Sequence, residues 1–176
     1  MNLPNKLTVA RLILTVPFAV CFYLPWDHAL TSALLLFGAA SITDYLDGSI
    51  ARARGLVTNF GKLFDTLADK ILISVAFIML VEQAVLPAWI AIVILSREFF
   101  VTGIRQIAVA QGVVLAAEKL GKHKMVWQII TVIYFMLQGA VTEPLLRWLA
   151  PLFDTHLLGS PYVAGFIVYF TTLLTL

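Results

Sequence analysis

Six long apolar runs, at roughly 7–25, 28–46, 61–81, 86–109, 125–141 and 157–176, take up most of this chain and leave only short turns between them. Each is close to the ~20 mainly apolar residues that a helix needs to cross the hydrocarbon core of a bilayer. With 61% hydrophobic and only 12% charged residues, the composition belongs to the membrane class. The expected fold is therefore all-α, a polytopic integral membrane protein of six transmembrane helices around a polar site. Pro25, Pro87, Pro144, Pro151 and Pro161 mark the turns. No repeat or low-complexity tract interrupts the pattern, and residues 1–176 read as a single transmembrane domain with no room for a soluble one. Trp26, Trp89, Trp127 and Trp148 fall near the ends of the runs, where indole rings anchor helices at the interface.

The first run follows Lys6 and Arg11 as a signal peptide would, but no small-x-small cleavage pattern follows it, so it is expected to be retained. Cys21 lacks the small residue expected just before a lipidated cysteine, and a single cysteine makes no internal disulfide. Orientation follows from the bases, because positively charged loops stay in the cytoplasm. With both termini inside, Lys6, Arg52, Arg54, Lys62, Lys119, Lys122 and Lys124 all fall on the cytoplasmic side, while the opposite loops hold Asp27, Glu82, Glu143, Asp154 and one base, Arg147. A basic connection around 48–60 then joins the second and third helices at their cytoplasmic ends.

Beside that connection lie four aspartates, Asp44, Asp47, Asp65 and Asp69, inside or next to apolar runs where ionisable side chains are costly and usually functional. With Gly48, Ala51, Arg52 and Gly61 they spell D-x2-D-G-x2-A-R-x8-G-x3-D-x3-D. Spacings of three and four put each aspartate pair on one face of its helix, and two antiparallel helices would aim four carboxylates at one point. Such a concentration of negative charge repels itself unless a cation resolves it. Hard oxygen ligands without paired His or Cys suit Mg²⁺ or Mn²⁺, whose shells are commonly completed by substrate phosphate oxygens. Gly48, Ala51 and Gly61 permit close approach of helices or ligand, and the guanidinium of Arg52 is suited to grip a phosphate. Two other readings compete: aspartates as helix-end charges or ion-pair halves, and a divalent-cation transport pathway. A transporter would show repeated halves or broken helices, and neither is visible in the sequence.

The eight-position frame resembles the signature of the CDP-alcohol phosphotransferases, membrane enzymes that join a CDP-activated group to an alcohol and release CMP. The stretches Asn5-Lys6-Leu7-Thr8-Val9-Ala10-Arg11, Ser96-Arg97-Glu98-Phe99, Gly103-Ile104-Arg105 and Gly121-Lys122-His123-Lys124 extend the likeness to bacterial members over most of the chain. The resemblance implies a site of two divalent ions ligated by Asp44, Asp47, Asp65 and Asp69, with Asp69 also the general base. It further implies that Thr8, Gly48, Arg52 and Thr58 contact the CDP part of the lipid donor, with Ala51 and Gly61 in the same site. CDP-diacylglycerol is then the donor, and a homodimer in the bacterial inner membrane the expected assembly, with the site open to the cytoplasm.

The acceptor is written less clearly. Arg97 and Arg105 lie within an apolar run, and the loop after it is expected to bring Lys119, Lys122 and Lys124 to the cytoplasmic side. Such bases suit an acceptor that is itself a phosphate. Glycerol 3-phosphate fits, and the resemblance favours it; inositol phosphate fits nearly as well by charge. Choline, which takes an aromatic cage, fits poorly. The bland alternatives are an ion pair between Arg97 and an acidic residue on a neighbouring helix, and positive-inside topology or headgroup attraction for the lysines; Glu98 is a candidate to partner one of these bases or to orient them. His28, His123 and His156 are scattered and receive no role, and no nucleic-acid partner is expected.

Overall fold

The computed structural model describes the backbone of residues 3–54, 59–111, 119–154 and 158–175; side chains at 3–7, 44–54, 59–66, 110 and 119–123 lie outside the described set. All regular structure among the described residues is helical: α1 (Leu3–Cys21), α2 (Ala29–Arg54), α3 (Asn59–Glu82), α4 (Ala88–Ala110), α5 (Lys119–Ala140), α6 (Ala150–Asp154) and α7 (Pro161–Thr175), with a 3₁₀ turn at Arg147–Leu149. The six apolar runs correspond to α1–α5 and α7. The additional short helix α6 occupies a stretch expected to be turn.

Prolines set several of these boundaries by lacking an N–H and fixing φ. Pro87 is the N-cap of α4 and Pro161 is the first residue of α7, where a missing donor is harmless. Pro17 sits inside α1, which continues through it. The turn from α3 to α4 is made tight by Ala84, which takes a φ of 56°, while Val85 and Leu86 both donate to the carbonyl of Leu80. That pair of bonds satisfies an orphan carbonyl at the end of α3.

Consecutive long helices run antiparallel. Phe18, near the end of α1, meets Phe37 of α2 with ring centroids 5.7 Å apart, across the turn that joins their helices. Lys70 of α3 bonds Glu98 of α4 across the turn at Ala84. On α5 and α7, Trp127 stacks edge-on against Phe170 while Tyr134 donates to the carbonyl of Leu158 at 2.5 Å, so the two chains pass in opposite senses. One end of the bundle therefore collects the start of α1, the end of α2, the start of α3, the end of α4 and the start of α5. The core between the helices is apolar and draws on all six, with Phe18, Phe37, Phe77, Ile94, Val132 and Val168 among its buried members. Cys21 is one of them.

Three expectations need correction. The segment following residue 46 was expected to be a basic loop, yet α2 stays helical to Arg54, so the connection to α3 is short. Lys119, Lys122 and Lys124 were placed in a loop and instead belong to the first turns of α5, which begins six residues before the apolar run. The same extension puts Trp127 two turns inside α5 and against Phe170, not at a helix end, whereas Trp26, Trp89 and Trp148 are exposed. The six long helices match the expected number, but among the described residues no helix is long and apolar enough to cross a membrane. In α4 the physical reason is plain: Arg97, Glu98 and Arg105 interrupt the apolar sequence.

Candidate active site

The two halves of the aspartate frame lie on the last turns of α2 and the first turns of α3, both at the same end of the bundle. At 1.5 Å of rise per residue, Asp44 stands about 15 Å in from the end of α2 and Asp69 about 15 Å in from the start of α3. Asp47 and Asp65 stand at about 10 Å on their respective helices. Helical backbone at all four positions preserves the three- and four-residue spacings that give each pair a common face. Gly48, Ala51 and Arg52 share the end of α2, and Gly61 the start of α3. Among these residues Asp69 is the one whose side chain is described, and it is partly buried. Thr58 lies outside the described residues.

Next to Asp69 in the chain, Lys70 enters a cluster that joins three helices. Its Nζ donates to Glu98 Oε2 at 2.9 Å, Lys124 Nζ of α5 donates to Glu98 Oε1, and Arg97 Nη1 stands 3.4 Å from that same oxygen. The Glu98 side chain is only 10% exposed, and those of Lys70 and Lys124 are 16% and 17%. Thr102 Oγ1 donates to the Glu98 carbonyl at 2.7 Å, using up an acceptor on the same turn. One carboxylate thus gathers three cations in a largely dry setting, where charge-assisted bonds are stronger than in water.

On α1, Thr8 and Arg11 are both buried, Arg11 completely, and Thr15 Oγ1 bonds the Arg11 carbonyl at 2.9 Å. These three positions follow a three- and four-residue spacing, a polar stripe on the side of α1 that packs against α2 and α3. A fully buried arginine about 12 Å into an apolar helix is a charge that needs a polar destination.

The family model for CDP-alcohol phosphatidyltransferases matches residues 1–174. The chain belongs to this family. Among curated relatives, the CDP-diacylglycerol–glycerol-3-phosphate 3-phosphatidyltransferase of Bacillus subtilis (strain 168) is 45% identical over 154 residues, spanning 81% of this chain and 80% of the relative. The protein of the same name from Rickettsia felis is 36% identical over 177 residues, spanning 96% and 97%. A probable phosphatidylglycerophosphate synthase of Mycobacterium tuberculosis is 37% identical over 139 residues, spanning 77% and 66%.

Within this CDP-alcohol phosphatidyltransferase, the structure brings together some of the bases expected for the acceptor and separates others. Arg97 and Lys124 meet at Glu98. Arg105 is two turns further along α4 and exposed, outside that cluster. Lys119 and Lys122 precede Lys124 on α5, and their side chains lie outside the described set. Two residues escaped the sequence reading. Lys70 carries the same signal as the aspartates, an ionisable group in an apolar run, and went unremarked because it follows Asp69 so closely. Arg11 was counted as a flanking base when helical phase places it inside.

Proposed function

We propose that the chain transfers the phosphatidyl group of CDP-diacylglycerol to glycerol 3-phosphate, giving phosphatidylglycerol phosphate and CMP. The observation that carries this reading is the depth match: both halves of the aspartate frame sit at equal distances from one end of the bundle, on helices joined by a short connection, in a chain whose family and relatives act on CDP-linked lipids. Relatives named for glycerol 3-phosphate cover most of the chain, and the Arg97–Lys124 grouping suits an anionic acceptor.

The donor set fits divalent metal. Asp44 and Asp47 on one helix and Asp65 and Asp69 on the next provide only hard carboxylate oxygens, the chemistry of Mg²⁺ or Mn²⁺, and these four residues would hold the two ions that the family resemblance implies. When bound, the ions supply charge withdrawal from the diphosphate and a counter-charge for the departing CMP. The chain's own residues do the rest. Arg52, from the last turn of α2, binds a donor phosphate, and Gly48, Ala51 and Gly61 leave space for the nucleotide to approach the helix backbones. Thr8 and Thr58 contribute contacts to the CDP group. Asp69 accepts the proton of the acceptor hydroxyl as its oxygen attacks the phosphorus that carries the diacylglycerol; the bond from that phosphorus to the CMP oxygen breaks, and CMP leaves. Arg97, Arg105, Lys119, Lys122 and Lys124 draw in and hold the acceptor phosphate.

A bacterial inner-membrane setting, multi-pass with both termini in the cytoplasm, is part of the same proposal. It is supported by the outward face of the bundle, where Ile13, Val16, Leu35, Ile42, Ile78, Ile92, Phe99 and Phe100 are exposed along the helices. An apolar exterior around a buried charged cluster is the reverse of a water-soluble surface. It also explains why α4 carries charge: Glu98 faces inward while Phe99 and Phe100, which follow it, face out. The donor's acyl chains would remain in lipid while its diphosphate reaches the aspartates, and a homodimer is retained on the resemblance alone.

The deciding assay offers the purified protein CDP-diacylglycerol with glycerol 3-phosphate, inositol phosphate, inositol or serine in parallel and measures CMP. Release with glycerol 3-phosphate at the highest kcat/KM is expected; preference for inositol phosphate would change the acceptor, and no release with any alcohol would remove the transferase reading.

A further inference from the structure

We infer that Glu98 is a positioning residue that mounts Lys70 and Lys124, together with Arg97, as the receptor for the acceptor's phosphate. The inference rests on the transferase reading and adds to it two residues, Lys70 and Glu98, and a mechanical role.

One carboxylate would be satisfied by one cation, but Glu98 has three within 3.4 Å, on side chains that are all less than a third exposed. Like charges packed around one site disfavour each other's charged forms, so a purely structural ion pair gains less from the second and third than from the first. The surplus is two positive charges, and a phosphate monoester carries about −1.5 to −2 near neutral pH. The match is one of geometry as well. An ammonium group has three donors; Lys70 and Lys124 each commit one to a different oxygen of Glu98, which spreads the two nitrogens to either side of the carboxylate and leaves two donors on each for another anion. Glu98 cannot bind a phosphate itself. It holds flexible four-carbon side chains in one arrangement, which removes much of the entropy that ordering them on substrate would otherwise cost.

Position completes the case. Lys70 immediately follows Asp69, the proposed base, and lies one residue deeper on α3. Through Glu98 its ammonium group is turned toward α4 and α5, so a phosphate held there would leave the hydroxyl end of a short alcohol within reach of the aspartate side of α3. Since α3, α4 and α5 each contribute a residue, the receptor is fixed by the packing of three helices rather than by a loop.

The test varies each substrate separately in the CMP-release assay. Glu98→Gln keeps the volume and removes the charge; it is expected to raise KM for glycerol 3-phosphate by about tenfold or more while KM for CDP-diacylglycerol moves less than about twofold. Glu98→Asp should recover part of the loss. If Glu98 acts through its lysines, Glu98→Gln should cost clearly less in a Lys124→Gln background than in the wild type, because only the Lys70 arm remains to be lost. Lys70→Gln provides an arm that leaves the carboxylate in place, and it should raise the same KM selectively. Equal rises in both KM values, an unchanged KM for glycerol 3-phosphate in Glu98→Gln and Lys70→Gln, or full additivity with Lys124→Gln would overturn the inference while wild-type CMP release leaves the transferase reading standing. A wild-type chain that releases CMP only with an uncharged alcohol would overturn both.

Discussion

Two regions of the bundle each bury a glutamate to nearly the same degree, Glu98 midway along α4 at 8% and Glu143 just beyond α5 at 9% exposure, and satisfy it in opposite ways. Glu143, just beyond α5, accepts from the backbone N–H groups of Leu30 at 2.7 Å and Thr31 at 2.8 Å, in the first turn of α2. Those donors are fixed by the helix, would be orphaned without a cap, and carry the positive end of its dipole. The carboxylate is therefore fully used in tying the start of α2 to the chain that follows α5. Glu98 is met entirely by side chains, three of them, all cationic and more than it needs. Backbone donors give a latch; surplus side-chain charge gives a place for something else to bind. Lys70, the residue after Asp69, ties Glu98 to the aspartate frame, which lies toward the end of the bundle away from Glu143.

If that division is real, the largest effect comes from depriving the aspartate frame of metal. Divalent chelation is expected to take CMP release to background and excess Mg²⁺ or Mn²⁺ to restore it. Turnover in a metal-free preparation would disconnect the frame from the reaction, and metal flux across sealed vesicles without any CDP-lipid would favour a transport pathway instead. Next in size is Asp69→Asn, which keeps volume and removes the proton acceptor. It should lower kcat on the order of 10²- to 10⁴-fold with an unchanged melting curve; activity within tenfold of wild type would take the base role away from this residue.

The far end should answer in stability, not in rate. Glu143→Ala strands two helix-start N–H groups, a loss of about 1–3 kcal/mol. At roughly 2–4 °C per kcal/mol for a chain of this size, the drop in melting temperature is readily measured in detergent, with both KM values unchanged. A selective change in the KM for glycerol 3-phosphate would show that the two ends are not separable.

What the sequence made legible follows from what each signal requires. Long apolar runs need no partner to be recognised, so the long helices were expected at nearly the right places. The aspartate frame was legible because charge in an apolar run is conspicuous and its spacing is helical. Helix ends were not: residues such as Arg54 and Lys119 are polar enough to resemble loop yet are good helix formers, so α2 and α5 extend past their apolar stretches. Pairings between helices were the least visible. Nothing in the order of residues says that Lys70, Glu98 and Lys124 converge, or that Glu143 caps a helix more than a hundred residues earlier, because those contacts depend on how antiparallel helices are packed.

The smallest expected effect separates two kinds of base on the Glu98 side of that division. Arg105 is exposed, two turns along α4 from Arg97 and outside the cluster that Glu98 holds. An exposed guanidinium acts on an anion through a screened field and not through a fixed bond. Arg105→Ala should therefore raise the KM for glycerol 3-phosphate by only about two- to fivefold, and added salt should shrink the difference from wild type as screening weakens the field. Lys124→Ala should raise the same KM several times more, with less response to salt, because its charge is partly shielded from water. Equal effects of the two substitutions, with equal salt dependence, would mean that the acceptor phosphate meets a diffuse basic mouth and that the buried grouping around Glu98 confers no extra grip. An Arg105→Ala variant with the larger, salt-resistant loss would move the phosphate site outward along α4, away from Asp69.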